Sequence, residues 1–260
     1  MIPVALTIGG SDPSGGAGIQ ADIKTFHQLG VYGTSVLTLV TVQNTQSVKA
    51  VELLSPELVG AQLEAVLEDI PPQAAKTGAL GDERIISEIA RHACRFEFPL
   101  VVDPVMISKH GLPLMTERAR AILAAELLPH ACLVTPNLHE ASVLAGMPVR
   151  DPSEMEEAAR RIVALGAAAV LIKGGHLSGD ALDLLYSKDG IRRFSSPRID
   201  TKHTHGTGCT YSAAITAGLA QGLPLLQAIE RAKTFITLAI QSNPGLGRGC
   251  GPVNHFVDLR

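Results

Sequence analysis

From Val4 to Phe26 the chain reads V-A-L-T-I-G-G-S-D-P-S-G-G-A-G-I-Q-A-D-I-K-T-F, an apolar run joined to a helical pattern by a glycine-rich loop. The residues of Val4 to Ile8 predict a strand, and the periodicity of Ala17 to Leu29 predicts a helix. A strand followed by a helix is the unit from which mainly parallel sheets are built. The five glycines beside Asp12 and Asp22 indicate that something fits closely against this loop.

The same alternation continues along the rest of the chain. Further candidate strands are Ser35 to Val42, Ala74 to Lys76, Leu100 to Val102, Cys132 to Thr135 and Ala169 to Ile172. Further candidate helices are Pro56 to Glu68, Glu83 to Cys94, Glu117 to Leu127, Leu138 to Leu144, Ser153 to Leu165, Thr207 to Gln221 and Leu225 to Gln241. The segments Ala181 to Tyr186 and Ile191 to Ser195 predict a β-hairpin. We therefore expect one α/β domain over residues 1–260, with helices on both faces of the sheet.

Net charge, the length of the apolar runs and the spacing of the cysteines limit which partners and which cellular location are expected. The formal net charge of −3 provides no basic surface for a run of phosphates, so we expect no nucleic-acid partner. Apolar runs such as residues 36–42 are far shorter than the about 20 residues that span a membrane. A strand that starts near residue 3 leaves no room for a signal sequence. With four widely spaced cysteines, these features predict a cytoplasmic protein with reduced thiols and no membrane partner.

Glycine, proline or small polar residues follow nearly every predicted strand. These strand ends are Gly9-Gly10, Gln43-Asn44, Thr77-Gly78, Asp103-Pro104, Pro136-Asn137 and Lys173-Gly174-Gly175. Each one alone is consistent with simple strand termination. Because the carboxyl ends of parallel strands share one edge of the sheet, together they predict a ligand site at that edge.

The segment T-H-G-T-G-C-T, Thr204 to Thr210, leads directly into an apolar helix. Its glycines leave the first helical amides free and allow close approach to the backbone. The helix start also adds about half a positive charge, which suits phosphate groups. Neither G-x-x-x-x-G-K-[ST] nor a strand-to-helix G-x-G-x-x-G occurs in the chain, so the two common nucleotide-binding motifs are absent.

Several further motifs occur one after another along essentially the whole chain, in the order that they have in a known protein family. After Ala5 to Phe26 come Q-N-T (Gln43 to Thr45), K-T-G (Lys76 to Gly78), D-P-V-M (Asp103 to Met106), T-P-N-L-H-E-A (Thr135 to Ala141), K-G-G-H (Lys173 to His176), H-G-T-G-C-T (His205 to Thr210) and G-P-V-N-H (Gly251 to His255). This order resembles the hydroxymethylpyrimidine/phosphomethylpyrimidine kinases of the ribokinase-like superfamily. The resemblance implies a three-layer α/β/α sandwich with a small β-hairpin, and a homodimer. It also implies Mg²⁺-dependent phosphoryl transfer from ATP to 4-amino-5-hydroxymethyl-2-methylpyrimidine and its monophosphate, in thiamine biosynthesis.

The resemblance further implies a pyrimidine pocket lined by Gln43, Gly10, Asp22, Ala79 and Val105. A glutamine amide supplies both a donor and an acceptor, which suits the edge of an aminopyrimidine. The alternative for Gln43 is a solvated polar residue at a strand end.

For ATP, the resemblance implies binding by Asn137, Glu140, Lys173 and Thr207. Asn137 and Glu140 form an N-x-x-E pattern, and their oxygen atoms suit a magnesium ion held largely through water. The alternatives are a helix cap with a surface glutamate, and a solvated lysine at position 173.

The chemical step is expected at the start of the helix from Thr207. The resemblance implies that Gly206 and Gly208, with Lys173, stabilise the transferred phosphoryl group and that Cys209 removes the hydroxyl proton. A helix amino terminus lowers the pKa of a thiol, so a thiolate near neutral pH is expected. The alternative for Cys209 is a small buried residue that closes the turn.

Two other functions remain open on the sequence alone. One is a pyridoxal-type kinase of the same superfamily, because some cysteine-bearing relatives accept pyridoxal as well as the pyrimidine. The other is a non-catalytic nucleotide-binding relative that kept the fold. The intact H-G-T-G-C-T and N-x-x-E motifs argue against the second alternative.

Overall fold

A computed structural model describes residues 2–108, 111–175 and 179–259 of the chain. His176, the last residue of the K-G-G-H motif, lies outside these described residues. The described strands form one sheet, in the order β3-β2-β1-β4-β5-β6-β7-β8-β9. They are β1 (Val4–Ser11), β2 (Tyr32–Gln43), β3 (Val48–Leu53), β4 (Ala74–Thr77), β5 (Leu100–Val102), β6 (Leu133–Val134), β7 (Ala169–Gly174), β8 (Ala181–Ser187) and β9 (Gly190–Ser196).

Pairing is parallel across the centre of the sheet, from β2 through β1, β4, β5 and β6 to β7. Strands β3, β8 and β9 pair antiparallel at its edges. The helices are α1 (Gly18–Gln28), α2 (Pro56–Asp69), α3 (Glu83–Ala93), α4 (Glu117–Ile122), α5 (Leu138–Ala145), α6 (Pro152–Val163), α7 (Thr207–Ala220) and α8 (Leu225–Gln241). None of those in the described ranges has the length and apolar character needed to cross a bilayer.

Two hydrophobic cores lie on opposite faces of the sheet. Leu6 and Ile8 of β1 belong to the core that includes residues of α2 to α6, whereas Ala5 belongs to the core with α7 and α8. This division follows from the two-residue period of a strand, which sends successive side chains to opposite faces. The predicted three-layer α/β/α sandwich and its β-hairpin are confirmed.

The structure differs from the sequence prediction at β3 and after α4. Strand β3 was not predicted because V-K-A-V-E-L carries exposed Lys49 and Glu52, charges that are typical of an unprotected edge strand. The predicted helix from Glu117 to Leu127 is α-helical only to Ile122 and continues as a π-helical turn.

Candidate active site

Helix α7 begins at the edge of the sheet where the parallel strands end. Gly206 caps it with a φ of 76°, and a Cβ atom there would collide with the carbonyl oxygen of Gly16. Glycine is therefore required at this position on both conformational and steric grounds. The N–H of Thr207 donates to Thr204 at 3.3 Å, while those of Gly208 and Cys209 have no acceptor among the described residues. Two amides are thus free to bind an anion.

Lys173 lies beside these amides. Its Nζ donates to Asp103 Oδ1 at 3.0 Å, and a Cβ atom on Gly208 would lie 3.3 Å from that Nζ. Burial lowers the pKa of Lys173, but the carboxylates of Asp103 and Glu140 outweigh burial and raise it above its ordinary value. Lys173 is therefore held as a cation next to the helix start, and it is not the solvated lysine of the alternative interpretation.

Asn137 and Glu140 form a capping box at the start of α5. The Asn137 side chain accepts from the Glu140 N–H at 2.9 Å, and the Glu140 carboxylate accepts from the Asn137 N–H at 2.8 Å. Asn137 thus caps the helix, Glu140 is buried rather than on the surface, and the magnesium-binding roles of both residues stay predictions. Burial raises the pKa of Glu140 to about 7, Lys173 opposes the rise and Asp103 adds to it. The Glu140 carboxylate thus lies close to the cationic Lys173 and to the Asp103 carboxylate.

Cys209 is half-buried in the first turn of α7. Burial raises the pKa of its thiol to about 11, against the opposing effects of Lys76 and the Gly18 amide, while Asp22 and Asp103 add to the rise. The expectation of a lowered thiol pKa is therefore wrong, because that expectation considered the helix end and neither the burial of the thiol nor the surrounding carboxylates. The role of Cys209 as the base stays a prediction.

Asp22 lies beneath Cys209 rather than open to solvent. Its carboxylate accepts from Thr7 at 2.7 Å and pairs with Lys76 at 2.8 Å, with both charged groups buried. Burial raises the pKa of Asp22, and Lys76 opposes that rise. Lys76 Nζ also reaches the carbonyl oxygen of Cys209 at 3.5 Å. The substrate-binding role of Asp22 stays a prediction, and the structure places its side chain in a buried ion pair.

Gln43 ends strand β2 and lies next to the glycine-rich loop. Its amide is 3.2 Å from His205 Nε2. Gly10 is close to Ala79, because a Cβ atom on Gly10 would lie 3.6 Å from the Ala79 side chain. Val105, two residues after Asp103, is half-buried at the end of β5. The pyrimidine-binding roles of these residues stay predictions.

Sequence reasoning did not assign roles to four residues of this site: Asp12, Lys76, Asp103 and His205. Asp103 and Lys76 were present in the strand-end and K-T-G patterns, which are the signals that could have identified them. Asp12 and His205 are joined at 2.8 Å although they are 193 residues apart, and no local pattern indicates that contact.

Comparison with known proteins places this chain in a family. The family model for phosphomethylpyrimidine kinase matches residues 12–254 of the chain. The hydroxymethylpyrimidine/phosphomethylpyrimidine kinase of Rhizobium meliloti is 49% identical over 260 residues, which cover 98% of both chains. The thiamine biosynthesis bifunctional protein ThiED of Geobacter sulfurreducens is 50% identical over 254 residues, 97% of this chain and 52% of that protein. This chain thus spans about half of that bifunctional relative.

Among solved structures, the pyridoxal kinase of Bacillus subtilis, determined as an ADP complex, resembles this chain. The TM-score is 0.90 with 40% sequence identity, and the match covers 98% of each chain. The similarity extends over both cores and the edge of the sheet at which α7 begins.

Proposed function

Because the chain belongs to the phosphomethylpyrimidine kinase family, it is a small-molecule kinase, and we propose that it transfers the γ-phosphoryl group of ATP to 4-amino-5-hydroxymethyl-2-methylpyrimidine and to the monophosphate of this compound. The observation that carries this proposal is the pair of free amides at Gly208 and Cys209 beside the cationic Lys173. Two N–H donors beside a cation complement the negative charge on phosphoryl oxygens. Phosphoryl transfer depends mainly on alignment and on stabilisation of this charge.

For the chemical step, we propose that the substrate hydroxyl oxygen attacks the γ-phosphorus of ATP as the bond to the ADP oxygen breaks. The free amides and Lys173 stabilise the transferred group, and the hydroxyl proton passes to the thiolate Sγ of Cys209, which becomes a thiol. Since the pKa of this thiol is about 11, its thiolate is scarce at neutral pH. Lys76, buried below Cys209, is the cation that opposes this rise in pKa.

We propose that Asn137 and Glu140 lie near the magnesium ion that accompanies ATP. The described ranges contain no group of three or more His, Cys, Asp or Glu side chains that could hold a metal ion. Buried Glu140 and Asp103 interact with each other and with Lys173, and their hard oxygen atoms fit Mg²⁺ held through water and phosphate oxygens. When bound, the ion neutralises charge on the ATP phosphates. Thr207 is proposed to contact the same phosphates from the first turn of α7.

Phosphorylation of pyridoxal is the second candidate function, and the similarity to the Bacillus subtilis pyridoxal kinase favours it. Both candidates use the same anion-binding helix start, so only the ring-binding residues can separate them. We propose that Gln43, together with Gly10, Ala79 and Val105, favours the aminopyrimidine because the Gln43 amide can pair with the ring edge.

Steady-state ADP release with a panel of substrates tests the proposal. With Mg-ATP, kcat/KM for the hydroxymethylpyrimidine should exceed that for pyridoxal, ribose and fructose 6-phosphate, and excess chelator should abolish turnover. A higher kcat/KM for pyridoxal would favour the second function. Absence of ADP release with every substrate would instead support a non-catalytic binding protein.

We also propose that two copies of the chain associate through the exposed face of β2. Val40 and Val42 lie on one face of this strand and are 40% and 56% exposed. Exposed apolar residues side by side favour burial against another copy. Sedimentation equilibrium should give a dimer mass for the wild type and a monomer mass for Val42→Lys. Phe256→Lys, an exposed apolar residue of the C-terminal segment, is the matched control and should remain dimeric.

A further inference from the structure

A buried histidine connects the glycine-rich loop to the proposed pyrimidine pocket. His205 is 3% exposed, and its Nε2 lies 2.8 Å from Asp12 Oδ2 and 3.2 Å from the Gln43 amide. The Gln43 and Asp12 contacts therefore share a single ring nitrogen. One nitrogen of a neutral imidazole carries either a proton or a lone pair, so the direction of both contacts follows from where that proton is.

The surroundings of Asp12 place the proton on Nε2. The Asp12 carboxylate also accepts from the N–H groups of Ser14 and Ala17, both at 2.9 Å, and from the Ser14 hydroxyl. Burial raises the pKa of Asp12, but the hydrogen bonds from His205 and Ser14 outweigh it and the pKa is lowered. An ionised carboxylate is an acceptor only, so His205 Nε2 must be the donor.

The other ring nitrogen is consistent with this tautomer. His205 Nδ1 is buried and has no hydrogen-bond partner among the described residues. A bare lone pair there is less costly than a buried N–H without an acceptor. The ring is fixed on one side by Gly16, because a Cβ atom on Gly16 would lie 2.6 Å from His205 Cδ2. Backbone bonds to Gly251 and Val253 hold the residue itself.

The Gln43 amide must then turn its oxygen towards His205. The structure places the amide nitrogen there, but a half-turn exchanges nitrogen and oxygen without moving any other atom. With a proton on Nε2, a facing amide N–H would repel the ring N–H, whereas the amide oxygen can share the proton with Asp12. The NH₂ group of Gln43 is left for the pocket.

We propose that His205 is a positioning residue that orients the Gln43 amide, so that Gln43 presents N–H donors to the substrate ring. This inference rests on the proposed function for the identity of that ring. A donor selects for a ring nitrogen with a free lone pair, which the aminopyrimidine carries on its edge. At the corresponding ring position pyridoxal carries a hydroxyl group instead of a nitrogen, and this hydroxyl, itself a donor, gains less from such an amide. His205 thereby contributes to the choice between the two candidate substrates without touching either.

Nuclear magnetic resonance tests the orientation without any enzymatic assay. ¹⁵N shifts of the His205 ring should show the proton on Nε2 and a bare Nδ1. The side-chain NH₂ signals of Gln43 should move in His205→Leu and much less in His255→Leu. His255 is the matched control because it is also buried near the start of α7 but bonds to Thr210 instead of Gln43. A proton on Nδ1 of His205 would overturn the inference whatever the enzyme phosphorylates.

Kinetics test the consequence for specificity. His205→Leu should raise KM for the hydroxymethylpyrimidine by roughly tenfold and leave KM for ATP nearly unchanged. The ratio of kcat/KM for the hydroxymethylpyrimidine to kcat/KM for pyridoxal should therefore fall. His205→Gln keeps an N–H donor near the position of Nε2 and should restore most of the preference. A purely structural role predicts instead that both variants and His255→Leu change both KM values together. Equal changes in KM for the pyrimidine and in KM for ATP in His205→Leu would overturn the inference. If the wild type phosphorylates neither pyrimidine, the proposed function is wrong, and the ¹⁵N shifts alone decide on the role of His205.

Discussion

Replacing Glu140 by glutamine should make the protein more stable at alkaline pH while weakening its use of Mg-ATP. The amide keeps an oxygen that can accept from the Asn137 N–H, so the capping box survives. What is lost is a buried negative charge beside Asp103. The variant therefore separates the helix-capping role of this side chain from the role of its charge.

The size of the effect follows from the pKa of Glu140, which rises from an ordinary 4.5 to about 7. A carboxyl group with a raised folded-state pKa stabilises the protein fully below its unfolded-state pKa, and that contribution is lost as pH rises through the folded-state value. The wild type should thus lose about 3 kcal/mol between pH 4 and pH 8, which glutamine does not lose. At pH 5 the expected advantage of the variant is about 1 kcal/mol, and at pH 8 it is about 3 kcal/mol.

Urea unfolding at the two pH values measures this difference. Glu157→Gln is the control, because Glu157 is exposed and its pKa is lowered by a hydrogen bond from Arg161, so its variant should gain no stability at pH 8. The concentration of Mg²⁺ needed for half-maximal rate should rise in Glu140→Gln and not in Glu157→Gln. A stability advantage of equal size at both pH values, or none at pH 8, would refute the reasoning.

The other predictions concern the proposed ring-binding and catalytic residues. Gln43→Leu should raise KM for the pyrimidine by roughly tenfold with little change for ATP, since it leaves polar groups of the substrate unpaired, and equal changes in both would assign Gln43 to the fold. Cys209→Ala should still bind ATP, as measured by calorimetry, while kcat falls roughly 10²- to 10⁴-fold, and near-normal kcat in a folded variant would make the thiol a packing residue. Gly208→Val should lose ATP affinity and turnover together, because its side chain would crowd Lys173, and unchanged ATP affinity would remove these amides from the phosphate site. If the thiolate of Cys209 is the base, kcat/KM should rise about tenfold per pH unit between pH 7 and pH 9, because the thiol pKa is about 11, and a flat profile would contradict that role.

Local chemistry explains why much of the fold and part of the site could be predicted from sequence. The proposed anion-binding start of α7 depends on backbone amides and on Gly206, whose positive φ and contact with Gly16 leave no room for a side chain. The Asn137–Glu140 pattern spans three residues and forms within a single helical turn. Such features are visible in a few adjacent letters because the interacting groups are adjacent in the chain.

The amino-acid sequence by itself determined the family, the order of the strands and helices apart from β3, and the sheet edge at which the site is proposed. Only the tertiary structure decided the charge state and orientation of the groups at that edge. The Lys173–Asp103 and Lys76–Asp22 pairs join residues 70 and 54 positions apart, and the His205–Asp12 contact spans 193. A pKa depends on burial and on charges a few ångströms away, which the folded chain brings from distant positions. For this reason the thiol of Cys209 acquired a raised pKa where its place at a helix start alone predicted a lowered one.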